Sequence, residues 1–76
     1  MYVLIEICGK YTEIEMFFSR DEVESEMKKR YNERVKGAIK IDWRNTWFDR
    51  EKGVARVDDW TKIVEYRKCE LKKEIV

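Results

Sequence analysis

The residues of this 76-residue chain best equipped for recognition crowd between positions 43 and 66: Trp43, Arg44, Trp47, Phe48, Arg50, Arg56, Trp60 and Tyr66. Aromatic faces stack on bases or other rings, and guanidinium groups grip phosphate or carboxylate. Trp, Tyr and Arg are also the side chains enriched at hot spots of protein interfaces. Three uses compete. Trp43, Trp60 and one of Trp47 or Phe48 could fill the second half of a small core, the set could form a protein interface, or it could line a site for a nucleotide. A formal net charge of only +1 disfavours nucleic acid. So does an acidic leading portion: residues 1–26 hold seven acids against two bases (−5), whereas residues 27–76 hold fifteen bases against nine acids (+6). The functional reading is therefore a protein-binding module contacting its partner through Trp47, Phe48, Arg50 and Arg56, with Glu13, Glu15 and Phe17 as a second patch. A small-ligand or nucleotide sequestering protein that uses the same Trp/Arg cluster is the alternative.

Other chemistry finds little support. The chain has no His, which removes the usual general base and the usual triads. Its serines are Ser19, a helix-cap candidate, and Ser25 on the polar side of that helix. Cys8 and Cys69 have no His to activate them or to share a metal, and read as two reduced core cysteines, although neighbouring first and last strands would permit a disulfide. Asp42, Asp49, Asp58 and Asp59 with Lys62 suggest the magnesium site of a nuclease, yet each Asp stands where a turn would place one. Gly9, Gly37 and Gly53 each have a turn or cap role, and none belongs to a phosphate loop. No cofactor, no metal and no enzymatic activity are expected.

These side chains must be positioned by elements, and the clearest is a helix over about residues 20–35. Ser19 and Glu22 make a capping box, Phe18 and Val23 a hydrophobic staple, and Gly37 a left-handed stop. Acids crowd its first turns and bases its last, as the helix dipole favours. Val23, Met27, Tyr31 and Val35 recur every four residues, so the helix has one narrow apolar stripe to lay on a sheet.

Before the helix, YVLIEIC (2–8) and YTEIEMFF (11–18) flank Gly9-Lys10, which suits a type II′ two-residue hairpin pairing Cys8 with Tyr11, Ile5 with Ile14 and Val3 with Met16. Val3, Ile5, Ile7, Ile14, Met16 and Phe18 then share one side, the expected core face. The other side carries Tyr2, Leu4, Glu6, Cys8, Tyr11, Glu13, Glu15 and Phe17, with Glu6 opposite Glu13, and is expected to face solvent or a basic partner. After the helix, Ala38–Trp43 alternates as a half-buried strand, and Thr46–Asp49 and Val54–Val57 flank a hairpin loop with Gly53 in the left-handed position. Trp60–Cys69 is β-rich, although helical spacing also fits it, and residues 70–76 are too short and charged to assign. The fold class is α+β, a mainly antiparallel sheet in ββαβββ order with one helix packed on one face.

Apolar and charged residues each make up 43% of the chain, enough core for one small domain over residues 1–76 inside a solvated shell. Stability should be about 4–11 kcal/mol at this length. Glu6 cuts short the apolar start and no basic region precedes it, so neither a signal peptide nor a membrane span is read, and a soluble, cytoplasmic protein is expected. The order YVLIEI, YTEIEMFFS, capped helix, then a Trp-rich hairpin ending WTKIVEY resembles small uncharacterised accessory proteins of bacteriophages and low-GC Gram-positive bacteria. That resemblance implies a stoichiometric inhibitor of a host protein, including antagonists of antiviral defence, acting in the host cytoplasm. Homo-oligomer assembly through an exposed strand edge is a further expectation.

Overall fold

The computed structural model describes residues 1–71. β1 (Tyr2–Cys8) and β2 (Tyr11–Phe17) form the leading hairpin, α1 (Arg20–Gly37) follows, and β3 (Trp47–Asp49), β4 (Val54–Asp58) and β5 (Ile63–Glu70) complete an α+β fold. The five strands form one antiparallel sheet in the order β2-β1-β5-β4-β3. The chain thus leaves the sheet at one edge and re-enters at the other. The 18-residue α1 makes that crossing; at 1.5 Å per residue it is about 27 Å long, enough for the roughly 19 Å across four interstrand gaps.

The leading hairpin has the expected register, Cys8 opposite Tyr11 through Tyr2 opposite Phe17. Gly9 has φ +59° while Lys10 keeps a negative φ, the type II′ pattern. Gly53 also takes its expected left-handed place, with φ +67°. Ser19 caps α1, its hydroxyl accepting from the Glu22 amide at 3.1 Å. Val23 and Met27 are fully buried along the stripe, and Tyr31 meets Phe48 edge-on at 5.5 Å.

The helix lies on the opposite face of the hairpin from the one expected. The core is Leu4, Val23, Met27, Ala55, Val64 and Tyr66, with Tyr2, Cys8, Phe17, Tyr31 and Phe48 packed around it. Val3 is covered, but Ile14, Met16 and Phe18 stand exposed on the other side. Strand parity supplies the reason. Ile5 and Ile7 lie in register with Arg67 and Glu65, which lie beside Val54 and Arg56. Glu6 and Cys8 lie in register with Tyr66 and Val64, which lie beside Ala55 and Val57. Only the second row stays apolar across β5 and β4, so the whole sheet outweighs the hairpin's own preference.

Other expectations fail locally. Phe18 makes no staple, because it points to the open side while Phe17 turns into the core. Gly37 is the last helical residue and not a left-handed stop; the chain turns extended at Ala38, whose amide donates to the Val35 carbonyl. Ala38–Trp43 forms no strand, with Ile39 fully exposed and Trp43 mostly so. It is a connection tied to β4 by the backbone bond from the Asp42 N–H to the Asp58 carbonyl at 2.8 Å, and three strands follow the helix where four extended segments were legible. The β-rich reading of Trp60–Cys69 is met by β5, while residues 72–76 lie outside the described region. Cys69 is exposed and not in the core. Cys8 pairs in register with Val64 and Cys69 with Val3, at opposite ends of β1, so the two thiols cannot bond.

Candidate functional site

The residues singled out for recognition divide between the two faces. On the helix side, Phe17 and Phe48 pack against the core. Glu15 is held by Arg30, whose guanidinium also bonds Glu26 at 2.7 Å and lies 3.8 Å from Glu6. That cation relieves the facing pair Glu6 and Glu13 and pins the middle of α1 to β1 and β2. Glu13 accepts a 2.7 Å bond from the Tyr11 hydroxyl and pairs with no cation among the described residues. Arg50 reaches back to Glu24 at 3.5 Å. Glu24 also meets Lys68 of β5 and Arg20, both at 2.8 Å. The bonds from Lys68 and Arg20 hold the Glu24 carboxyl at about 2, well below the usual 4.5. The Arg30 and Lys68 contacts fasten the helix, so Glu15 has a structural duty, whereas Arg50 keeps a largely exposed side chain.

On the open side stand Trp47 and Arg56, directly paired across β3 and β4. Trp47 is 40% exposed. No carboxylate of the described residues lies within ion-pair distance of Arg56, and its buried Nε has no hydrogen-bond partner. Further along the same face, past Glu65 and Arg67, Ile5 and Ile7 of β1 adjoin Ile14 (66% exposed) and Met16 (58%) of β2, with Phe18 (83%) just beyond. No described element covers this face. An uncovered apolar patch with a Trp–Arg pair at its far side is suited to protein contact. Sequence reasoning had placed the Ile14–Met16 row in the core. The signal that could have corrected it was the alternation of Arg56, Glu65 and Arg67 on the later strands, which makes their partner face charged.

Trp43 and Trp60 are each about two-thirds exposed and fill no core. The cleft of about 560 Å³ that Trp60 lines also includes Cys8, Gly9, Asp58 and Lys62 but neither of the other tryptophans and no arginine, so it does not assemble a stacking grip for a nucleotide. Trp60 itself sits at φ +72°, a left-handed conformation costly for a bulky residue. Its amide donates to the Asp58 carboxylate at 2.9 Å, while Asp59 accepts from the Thr61 amide and hydroxyl and the Lys62 amide. Those bonds hold the Asp59 carboxyl at about 2. Asp42 likewise accepts from the Arg44 amide and Asn45, and Asp49 from the Lys52 amide. All four aspartates of the nuclease-like set therefore organise turns. Among the described residues no three His, Cys, Asp or Glu side chains converge to hold a metal ion, and no helix is long and apolar enough to cross a membrane.

Between the C-terminal half of α1 and the sheet lies a polar cleft of about 530 Å³, walled by Glu6, Arg30, Arg34, Asp59, Lys62 and Tyr66 among others. Burial raises the Tyr66 phenol above its usual 10, so it stays neutral beside Arg34. The cleft contains no nucleophile paired with a base. Comparison with protein-family models, curated protein sequences and solved structures finds no match to this chain.

Proposed function

We propose that this protein is a small non-enzymatic binding module, a stoichiometric inhibitor of another protein, as its resemblance to phage accessory proteins implies, and that it docks through the open face of its sheet. The observation that carries this reading is the uncovered patch of Ile14, Met16 and Phe18 on the same sheet face as Trp47 and the carboxylate-free Arg56. Large apolar side chains standing out from a sheet face, with arginine and tryptophan nearby, match the composition of interface centres. Phe48 and Phe17 support this surface from behind, as core residues, while Trp47 and Arg56 touch the partner.

The test is capture of partners from host lysate by the tagged protein, compared with Trp47→Ala and Met16→Asp variants whose circular dichroism matches the parent. One protein recovered near equimolar ratio by the parent and lost by both variants is expected. Retention of that protein by both variants, or a nucleotide that stays bound through purification, would overturn the reading.

A further inference from the structure

We infer that the outer edge of β2 accepts an extended segment of a partner protein in which apolar and basic residues alternate, adding a sixth strand to the sheet. This rests on the protein-binding reading above and names the kind of segment bound.

Strand β2 is an edge with nothing paired to its outer side among the described residues. The two-residue turn makes Cys8 and Tyr11 a hydrogen-bonded pair, and the unbroken register then alternates bonded and unbonded pairs down the hairpin. Thr12, Ile14 and Met16 therefore point their amides and carbonyls outward. Neither shortness nor a bulge nor a proline blunts this edge, for β2 is a regular strand of seven residues; the guards it carries are the charges of Glu13 and Glu15, which oppose an acidic strand and admit a basic one. The opposite edge is managed differently. β3 has only three residues, and the rest of β4 beside it is occupied by the Asp42 amide and by the Thr46 hydroxyl, which accepts from the Asp58 amide at 3.0 Å.

Side chains along β2 set the chemistry of the added strand. Ile14 and Met16 line the open side, whereas Glu13 and Glu15 line the helix side, where Glu6 and Glu26 also gather around Arg30, and Glu33 and Arg34 follow on the next turn of α1. An incoming strand meets apolar groups on one face and net negative charge on the other, so alternating apolar and basic residues complement both. A second copy of this chain does not: antiparallel pairing centred on Ile14 would set Glu13 against Glu15 of the other copy, acid against acid, on both sides of the axis.

The experiment is an amide NMR titration of the full chain with a capped peptide the length of β2 that alternates Val and Lys, and with its Val–Glu counterpart. The Val–Lys peptide is expected to shift the Thr12, Ile14 and Met16 amides and to slow their hydrogen exchange, while the Val–Glu peptide leaves them unmoved. Thr12→Pro removes an amide that bonds nothing inside the fold, and should weaken peptide binding roughly tenfold with the circular dichroism intact. A Val–Lys peptide N-methylated on alternate residues should fail in the same way whatever any variant does to folding. Equal response to both peptides, no response to Val–Lys at millimolar concentration, or a peptide-free dimer with these three amides protected would each overturn strand addition. Capture of the partner by Thr12→Pro but not by Trp47→Ala would sink strand addition alone and leave the open-face reading standing.

Discussion

The two faces of the sheet carry similar numbers of apolar side chains but use them differently. On one, Leu4, Ala55, Val64 and Tyr66 close around Val23 and Met27, and ion pairs of Arg30 and Glu24 fasten the helix above them. On the other, Ile5, Ile7, Ile14 and Met16 form a row with no cover among the described residues, ending at Glu65 and Arg67. What separates the faces is continuity across strands. A helix of 18 residues spans the full width of the sheet and stabilises only what stays apolar over that width. A row that is apolar on two strands and charged on the next two suits a smaller or segmented partner.

If that contrast is right, mutations on the two faces must differ in cost. The largest effect is expected for Leu4→Ala, which empties a fully buried site beneath α1. A loss of about 2–4 kcal/mol is expected, a large share of the stability of so small a domain, read from the urea midpoint. Next comes Arg30→Met, which keeps much of the side-chain volume but leaves the largely covered Glu6, together with Glu15 and Glu26, without the cation they share. About 1–3 kcal/mol is expected, measured the same way. A negligible cost would mean that solvent already relieves Glu6 and that the clamp adds nothing.

Acid should unfasten the covered face first. The Glu24 carboxyl sits at about 2 in the folded chain against an ordinary 4.5, and Asp59 at about 2 against 3.8. Both are ionised more readily folded than unfolded, so their contributions are complete above about pH 5 and fade as pH falls through 4.5 toward 2. Urea midpoints measured across that window should decline, and Glu24→Gln should flatten the decline while Asp59 preserves part of it. An acid limb of equal slope in Glu24→Gln would remove the Lys68–Glu24–Arg20 cluster from the account of how the helix is held.

Much of this architecture was legible in the chain, and the misreadings share one origin. Ser19 with Glu22, the four-residue stripe from Val23 and the Gly9-Lys10 turn are local signals, and each fixes local geometry. Which face of the hairpin turns inward is not local. It depends on how Tyr66 and Val64 align with Glu6 and Cys8, residues nearly sixty positions apart, and on the helix crossing from edge to edge. The candidate contacts suffered accordingly: Trp47 and Arg56 reach the open face because β3 and β4 pair as expected, whereas Phe17 and Phe48 share the parity of Leu4 and turn inward. Ala38–Trp43 alternates like a strand but does not join the sheet, since β3 and the Thr46–Asp58 bonds take its place beside β4.

The smallest expected effect probes the comparison from the open side. Ile14→Thr keeps a β-branched side chain and so preserves strand propensity, while removing apolar surface that is two-thirds exposed. A change within about 0.5 kcal/mol is expected, independent of protein concentration. Its partner across the hairpin, Ile5, retains cover from β1's other neighbour, so little packing is lost. A cost near that of Leu4→Ala would mean that Ile14 is covered in solution. Dependence of that cost on concentration would identify the cover as a second copy, paired despite its facing acids; independence would place the cover within the same chain. Either result would erase the difference between the faces and remove the open patch as a docking surface, whereas a near-neutral Ile14→Thr that loses its binding partner would tie the uncovered row to function and not to folding.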